Sequence, residues 1–377
     1  MIYYIVMVAV CITSAILGAK YPLKRGNLMQ NDVPNPLSLL VPAIWLTWFS
    51  GVRENIGDTV YYRHSWIIAL SEGSIAKPEG LKSPDGFDWI EYLASLVSEM
   101  THGGAVLHGQ NLIFICAVLF VVPTVWTLYK YSDSFAFSIF LFVVLGSYLT
   151  SMSGIRQFAA VGILLMGSRF FFHQNWLKGI LFYAPFLFLA WSVHSSALIM
   201  LPIFFVVRLR AFSLWSYAAL AGSVLIVAFS SVLMPGILSA LENYSVYGTE
   251  EWLSTSGGST ILRTAVAVMP LALMFFYRDW LRQLGTPGNI LINVGFLNAA
   301  ISIISLYNWI FYRLSFYLIA YNILFIGKLF SYLRKQYGTI SFWNLGGSVA
   351  YAAYGYFMHY GTLETYRSVF LPNFANW

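Results

Sequence analysis

The 377-residue chain is 59% hydrophobic and 18% aromatic, and only 10% of it is charged, against the roughly 25% of an ordinary soluble domain. That excludes a water-soluble enzyme and points to an all-α, polytopic integral membrane protein forming one domain over residues 1–377. The net charge of +6 is spread over short loops, so no nucleic-acid partner is implied. Cys11 and Cys116 lie inside apolar stretches and imply neither a disulfide nor a metal site.

The N-terminus is apolar from Ile2 to Leu17, with Lys20, Lys24 and Arg25 behind it rather than ahead of it. A secretory signal carries its positive charge first, so this reads as a first transmembrane helix starting outside and ending in the cytoplasm. The ~30 Å bilayer rule then places about twelve spans: Ile2–Leu17, Leu37–Phe49, Leu112–Tyr129, Phe135–Leu149, Phe158–Phe172, Ile180–Trp191, Ala197–Val207, Leu214–Leu233, Ile261–Phe276, Ile290–Leu306, Leu314–Phe330 and Phe342–Met358. With that start, thirteen of the 21 Lys and Arg residues fall in the cytoplasm, joined only by the acids Asp32, Asp133 and Asp279. The positive-inside rule favours this orientation, which leaves both termini external.

Two external segments follow, 51–110 and 239–258. Within the first, Phe87, Ile90, Leu93, Ala94, Val97 and Met100 recur at helical spacing, with Asp88, Glu91, Ser95 and Glu99 opposite. This predicts an amphipathic helix over about residues 85–100, lying at the outer interface or packed on the protein's own helices. The second holds Glu242, Glu250 and Glu251 with Tyr244, Tyr247 and Trp252. Aromatic rings and carboxylates together suit sugar binding, and an ordinary solvated loop has the same composition.

Two polar knots interrupt the apolar run from Ser151 to Arg208. One is Ser151-Met152-Ser153-Gly154-Ile155-Arg156-Gln157, the other His194-Ser195-Ser196. An uncompensated Arg or His at such a place is costly unless it reaches the interface or a wet cavity. Both knots are expected on the same side of the membrane. Arg53, Arg156, Arg313 and Arg367 are delivered to that side from separate parts of the chain. Guanidinium is always charged and offers a planar fork of donors, which suits phosphate or pyrophosphate. His194 is a candidate general base, with Asp58 as its rival. No P-loop, nucleophile elbow or zinc spacing is present, so neither metal nor cofactor is expected.

The ordered set of these residues resembles a known family. Arg53-x-x-x-Gly57-Asp58-x-x-x-Tyr62, Ser153-Gly154-Ile155-Arg156-Gln157, His194-Ser195-Ser196-Ala197 and Tyr312-Arg313-Leu314-Ser315-Phe316-Tyr317 are similar, in order and spacing, to the motifs of EpsG-like proteins, which are Wzy-type exopolysaccharide polymerases. The resemblance implies a GT-C-like membrane fold in the bacterial inner membrane with an active site facing outward. It implies that undecaprenyl-pyrophosphate-linked oligosaccharides serve as donor and acceptor; inversion is the simplest outcome of such a single displacement, and the lack of metal motifs makes a metal-independent transfer the expectation. Arg156 and Arg313 would stabilise the leaving pyrophosphate, with Arg53, Gln157, Tyr62 and Arg367 as further substrate contacts, and His194 or Asp58 would take the acceptor proton. A flippase and a chain-length regulator are partners the family implies. A glycan ligase would use the same donor and a similar site, and a transporter of lipid-linked glycan is a reading from a different class.

Overall fold

The computed structural model describes residues 2–20, 35–75, 77–80, 85–101, 105–229, 257–338 and 345–369. The acidic and aromatic residues of the 239–256 stretch lie outside them. The described residues are helical and carry no strand, only an isolated bridge between Arg53 and Ser368. The helices are α1 (Ile2–Lys20), α2 (Leu37–Gly51), α3 (Thr59–Ser71), α4 (Asp85–Thr101), α5 (Ala105–Tyr131), α6 (Phe135–Val144), α7 (Ser147–Thr150), α8 (Ile155–Met166), α9 (Ser168–Phe171), α10 (Trp176–Val193), α11 (Met200–Val206), α12 (Leu214–Ala228), α13 (Ile261–Phe276), α14 (Arg278–Arg282), α15 (Gly285–Ile304), α16 (Ile319–Tyr337) and α17 (Gly347–Glu364). Among the described residues, two 3-10 helices join them, Ser195–Ile199 and Trp309–Leu318.

Each of the twelve apolar stretches is helical where it is described, but length sorts them. Five helical segments among the described residues are long and apolar enough to cross a membrane: Tyr3–Lys20, Gly109–Tyr131, Trp176–Val193, Gly285–Ile304 and Trp309–Tyr337. Leu37–Gly51, Phe135–Val144, Ile155–Met166, Ser195–Val206, Leu214–Ala228 and Ile261–Phe276 are apolar and shorter. The boundaries move for physical reasons. The stretch expected at Phe158–Phe172 breaks at Gly167, and the one expected at Ala197–Val207 begins as a 3-10 turn. The amphipathic helix expected near 85–100 is α4. The segment before it also contains α3, whose sequence alternates aromatic, polar and basic residues too irregularly to display a helical face.

The chain divides into two compact units. Unit 1 comprises Met1–Phe171, Ile180–Leu198 and Phe330–Trp377; unit 2 comprises Phe172–Gly179 and Ile199–Leu329. In unit 1, α5 is the central helix, packed by α2, α3, α4, α6 and α8. Its buried side chains Leu112, Ile113, Cys116, Phe120, Val121 and Val125 form the seam. The C-terminal tail returns to the end of α2. Glu54 N–H donates to the Arg367 carbonyl at 2.9 Å and Val369 N–H to the Val52 carbonyl at 3.1 Å. Tyr366 stacks on Phe49 with ring centroids 4.1 Å apart and donates its hydroxyl to the Phe49 carbonyl at 2.8 Å.

In unit 2, α15 packs against α12, α13 and the 3-10 helix Trp309–Leu318. Asn289 and Asn293, one turn apart on α15, both donate to the Leu209 carbonyl at 2.6 Å, and Asn289 accepts the Ala211 N–H at 2.6 Å. Those amides satisfy a turn whose backbone groups have no helical partners.

Candidate functional site

The site in unit 1 is assembled by docking residues 53–62 onto residues 151–157, and each motif residue has a part. Arg53 is 1% exposed. All three of its guanidinium nitrogens donate inside the protein: Nε to Thr59 Oγ1 at 2.8 Å, Nη1 to the Ser50 carbonyl and to Ser50 Oγ at 3.0 Å, and Nη2 to the Met152 carbonyl at 3.3 Å. A buried guanidinium is tolerated only when its donors are used. Arg53, expected among the substrate contacts, is therefore a clamp between the end of α2, the start of α3 and the loop before α8. Gly57, at φ +57°, lies so close to Ser153 that a Cβ there would overlap that residue, so only glycine fits both the backbone angle and the approach. Asp58 Oδ2 accepts the Gly154 N–H at 2.8 Å, immediately ahead of α8. A carboxylate beside a helix start satisfies backbone donors and complements the dipole.

That docking presents Arg156, in the first turn of α8. Its guanidinium lies over the Phe87 ring of α4, 4.8 Å from the centroid, and Tyr62 meets the same ring edge-on at 6.0 Å. Arg156 is half-buried, and its Nε is buried with no hydrogen-bond partner. Stacking holds a guanidinium while leaving its N–H fork unused. Burial pushes the Tyr62 hydroxyl up to about 12, with Arg156 pulling the other way, so it remains a donor at neutral pH. Glu91 lies one turn along α4 from Phe87, on the same face. Its carboxyl is raised above the ordinary range by burial and then by the charge of Asp88, while Arg156 lowers it.

The second knot comes to the same end of α4. Gly86, the residue before Phe87, packs on the backbone of Ser192 and Val193, where a Cβ would overlap them. His194 follows directly, at the end of α10. Ser196 Oγ lies 2.8 Å from His194 Nδ1. The tautomer that donates from Nδ1 to the serine keeps the Nε2 lone pair as a base; the other makes Nε2 a donor. Gly86 and Phe87, the second and third residues of α4, thus touch the His194 segment on one side and Arg156 on the other.

The remaining expected residues are distributed differently. Gln157 is buried, 3% exposed. Neighbouring residues on a helix point about 100° apart, so it cannot share the outlook of Arg156. Arg367 is exposed, and its backbone pairs with the 54–55 segment. Arg313 belongs to unit 2, where its guanidinium lies 5.1 Å from the Trp309 ring centroid. Glu91 was visible in the sequence only as part of a polar face. Arg263 in unit 2 escaped the sequence reading, although a single cation in the first turn of an apolar helix is a signal of a polar destination.

The EpsG family model matches residues 39–369, which spans every motif residue above. No curated protein and no solved structure matches the chain. With its apolar helical build and a match over most of its length, this chain belongs to the EpsG family.

Proposed function

We propose that this protein is an exopolysaccharide polymerase of the inner membrane that joins oligosaccharide repeat units carried on undecaprenyl pyrophosphate, working on the outer face within a GT-C-like arrangement of about twelve membrane helices. The observation that carries the reading is Arg156, a half-buried guanidinium with an unpartnered Nε, held on Phe87 at the meeting point of three family motifs. An anion is the ligand such a group accepts best. A lipid-borne pyrophosphate brings that anion to a chain made of apolar helices.

The acceptor's sugar hydroxyl oxygen attacks the anomeric carbon of the donor's first sugar. The bond from that carbon to the pyrophosphate oxygen breaks, the electron pair leaves with undecaprenyl pyrophosphate, and configuration inverts. Arg156 stabilises the charge that builds on the leaving oxygen, and the Tyr62 hydroxyl is an additional donor. His194, in the tautomer that donates Nδ1–H to Ser196, takes the acceptor proton on Nε2. Arg53 and Asp58 act as positioning residues, because their polar atoms are committed to holding the loop that presents Arg156. Arg313 and Arg367 are further substrate contacts.

The test is a reconstitution with purified protein, the lipid-pyrophosphate-linked repeat unit of the host glycan and no nucleotide sugar, with and without EDTA. A ladder of products unaffected by EDTA is expected. A single transfer to a different acceptor would establish a ligase. Movement of the lipid-linked unit across liposomes without products would establish a transporter.

A further inference from the structure

The Arg53 clamp leaves one donor over, and a small cavity lies beside it. A guanidinium carries five N–H groups. In Arg53, Nε gives its one to Thr59 Oγ1, Nη1 gives its two to the Ser50 carbonyl and Ser50 Oγ, and Nη2 gives one to the Met152 carbonyl. The second N–H of Nη2 meets no acceptor among the described residues. The side chain is 1% exposed, so bulk water does not reach it. A buried donor left unpaired is costly, and more so on a charged group. The adjoining cavity has a volume of about 10 Å³, the room that one water needs. It is lined by Ser50 and Arg53 around the end of α2, by Cys116 and Ala117 of α5, and by Ser151 and Ile155 at the approach to α8.

The polar atoms around the cavity match what a water can accept and give. Arg53 Nη2 has its remaining N–H. Ser50 Oγ accepts from Arg53 Nη1 at 3.0 Å, and its own hydrogen has no acceptor among the described residues. Those are the donors. Ser151 Oγ donates to the Tyr148 carbonyl at 2.6 Å and so keeps its lone pairs. Cys116 is a buried free thiol, and a thiol sulfur is a weak acceptor. Those are the acceptors. A halide would use the donors but has no hydrogen to give the acceptors. A water uses both sets. We propose that one structural water binds in this cavity, accepting from Arg53 Nη2 and Ser50 Oγ and donating to Ser151 Oγ, with its second hydrogen toward Cys116 Sγ. It ties α2, α5 and the loop that presents Arg156 into one polar node, and gives Cys116 a part within an apolar seam. The inference is independent of the polymerase reading, and its test does not use product formation.

The experiment is a density map of the full-length protein in nanodiscs, at a resolution that shows ordered waters. A single peak is expected in the cavity, about 2.7–3.2 Å from Arg53 Nη2 and about 2.5–3.0 Å from Ser50 Oγ. A cavity without density in such a map would overturn the proposal. A halide would give a similar peak, so melting temperatures are compared in sodium chloride, sodium bromide and sodium gluconate at equal ionic strength. No dependence on the anion is expected. A melting temperature that rises saturably with chloride or bromide would assign the site to an anion and overturn the water. A third arm compares Ala117→Thr with Ala117→Val. The two side chains have the same shape, so their steric load cancels and the hydroxyl alone is read. Beside the polar node, Thr is expected to melt a few degrees above Val, because its hydroxyl takes over bonds that the methyl leaves unmade. Val melting at or above Thr would show a dry, apolar cavity and overturn the proposal.

Discussion

Arg156 and Arg53 show how one residue type serves opposite ends within one packed unit. Arg53 has every guanidinium nitrogen engaged inside the protein, whereas Arg156 has a ring beneath it and an unpartnered Nε. Arg156→Ala is therefore expected to lower turnover by about 10²–10³, as for loss of one preorganised donor to developing charge. Arg53→Ala is instead expected to lower the melting temperature of the solubilised protein. The two are separated by comparing ladder formation with thermal unfolding for each variant. Glu91 gives a pH-dependent outcome. Its folded-state carboxyl is raised by burial and Asp88, so ionising it costs stability. The cost begins near the unfolded value of about 4.3 and is complete once the pH exceeds the raised folded value. Glu91→Gln should then unfold at a higher temperature than the parent at pH 7, and the difference should vanish below about pH 4. A variant no more stable than the parent at pH 7 would show that Arg156 outweighs burial.

Among the elements, α4 matters most to the site, because Gly86 and Phe87 at its start touch the two knots. Gly86 meets the backbone of Ser192 and Val193, which has no side-chain freedom with which to yield. Gly86→Ala should push the helix start away from α10 and shift Phe87 under Arg156. Overpacking of this kind costs about 1–3 kcal/mol. The expected result is a folded, membrane-inserted protein with a larger loss of ladder formation than of melting temperature. Loss of both in proportion would mean that the contact is structural only.

At the scale of the molecule, the C-terminal tail closes unit 1 across more than 300 residues of sequence. Removing residues 366–377 deletes the bonds from Glu54 N–H to Arg367, from Val369 N–H to Val52, from Arg367 N–H to Asn55 and from the Tyr366 hydroxyl to Phe49. At ~0.5–1.5 kcal/mol each, that is a loss of roughly 2–6 kcal/mol and a visible fall in the unfolding temperature. Because Val52 adjoins Arg53, the clamp should loosen as well, and ladder formation should fall with stability.

The chain by itself determined that it is apolar and helical, where its polar knots stand and which family it joins, because those properties reside in local composition and short motifs. It also announced α4, whose acidic face lies opposite an apolar one. The tertiary structure decided which knots meet. Asp58 reaches Gly154 across 96 residues and Arg53 reaches Met152 across 99, and nothing in either segment names the other. It decided as well that Arg53 and Gln157 turn inward, and that Arg263 stacks on Tyr312. The reason is physical. In water an amphipathic period marks the face that will be buried, but a helix apolar on all sides carries no such mark. Its partners are chosen by close approach at glycines and by the need of each buried polar group for a partner, and both are properties of the packed molecule.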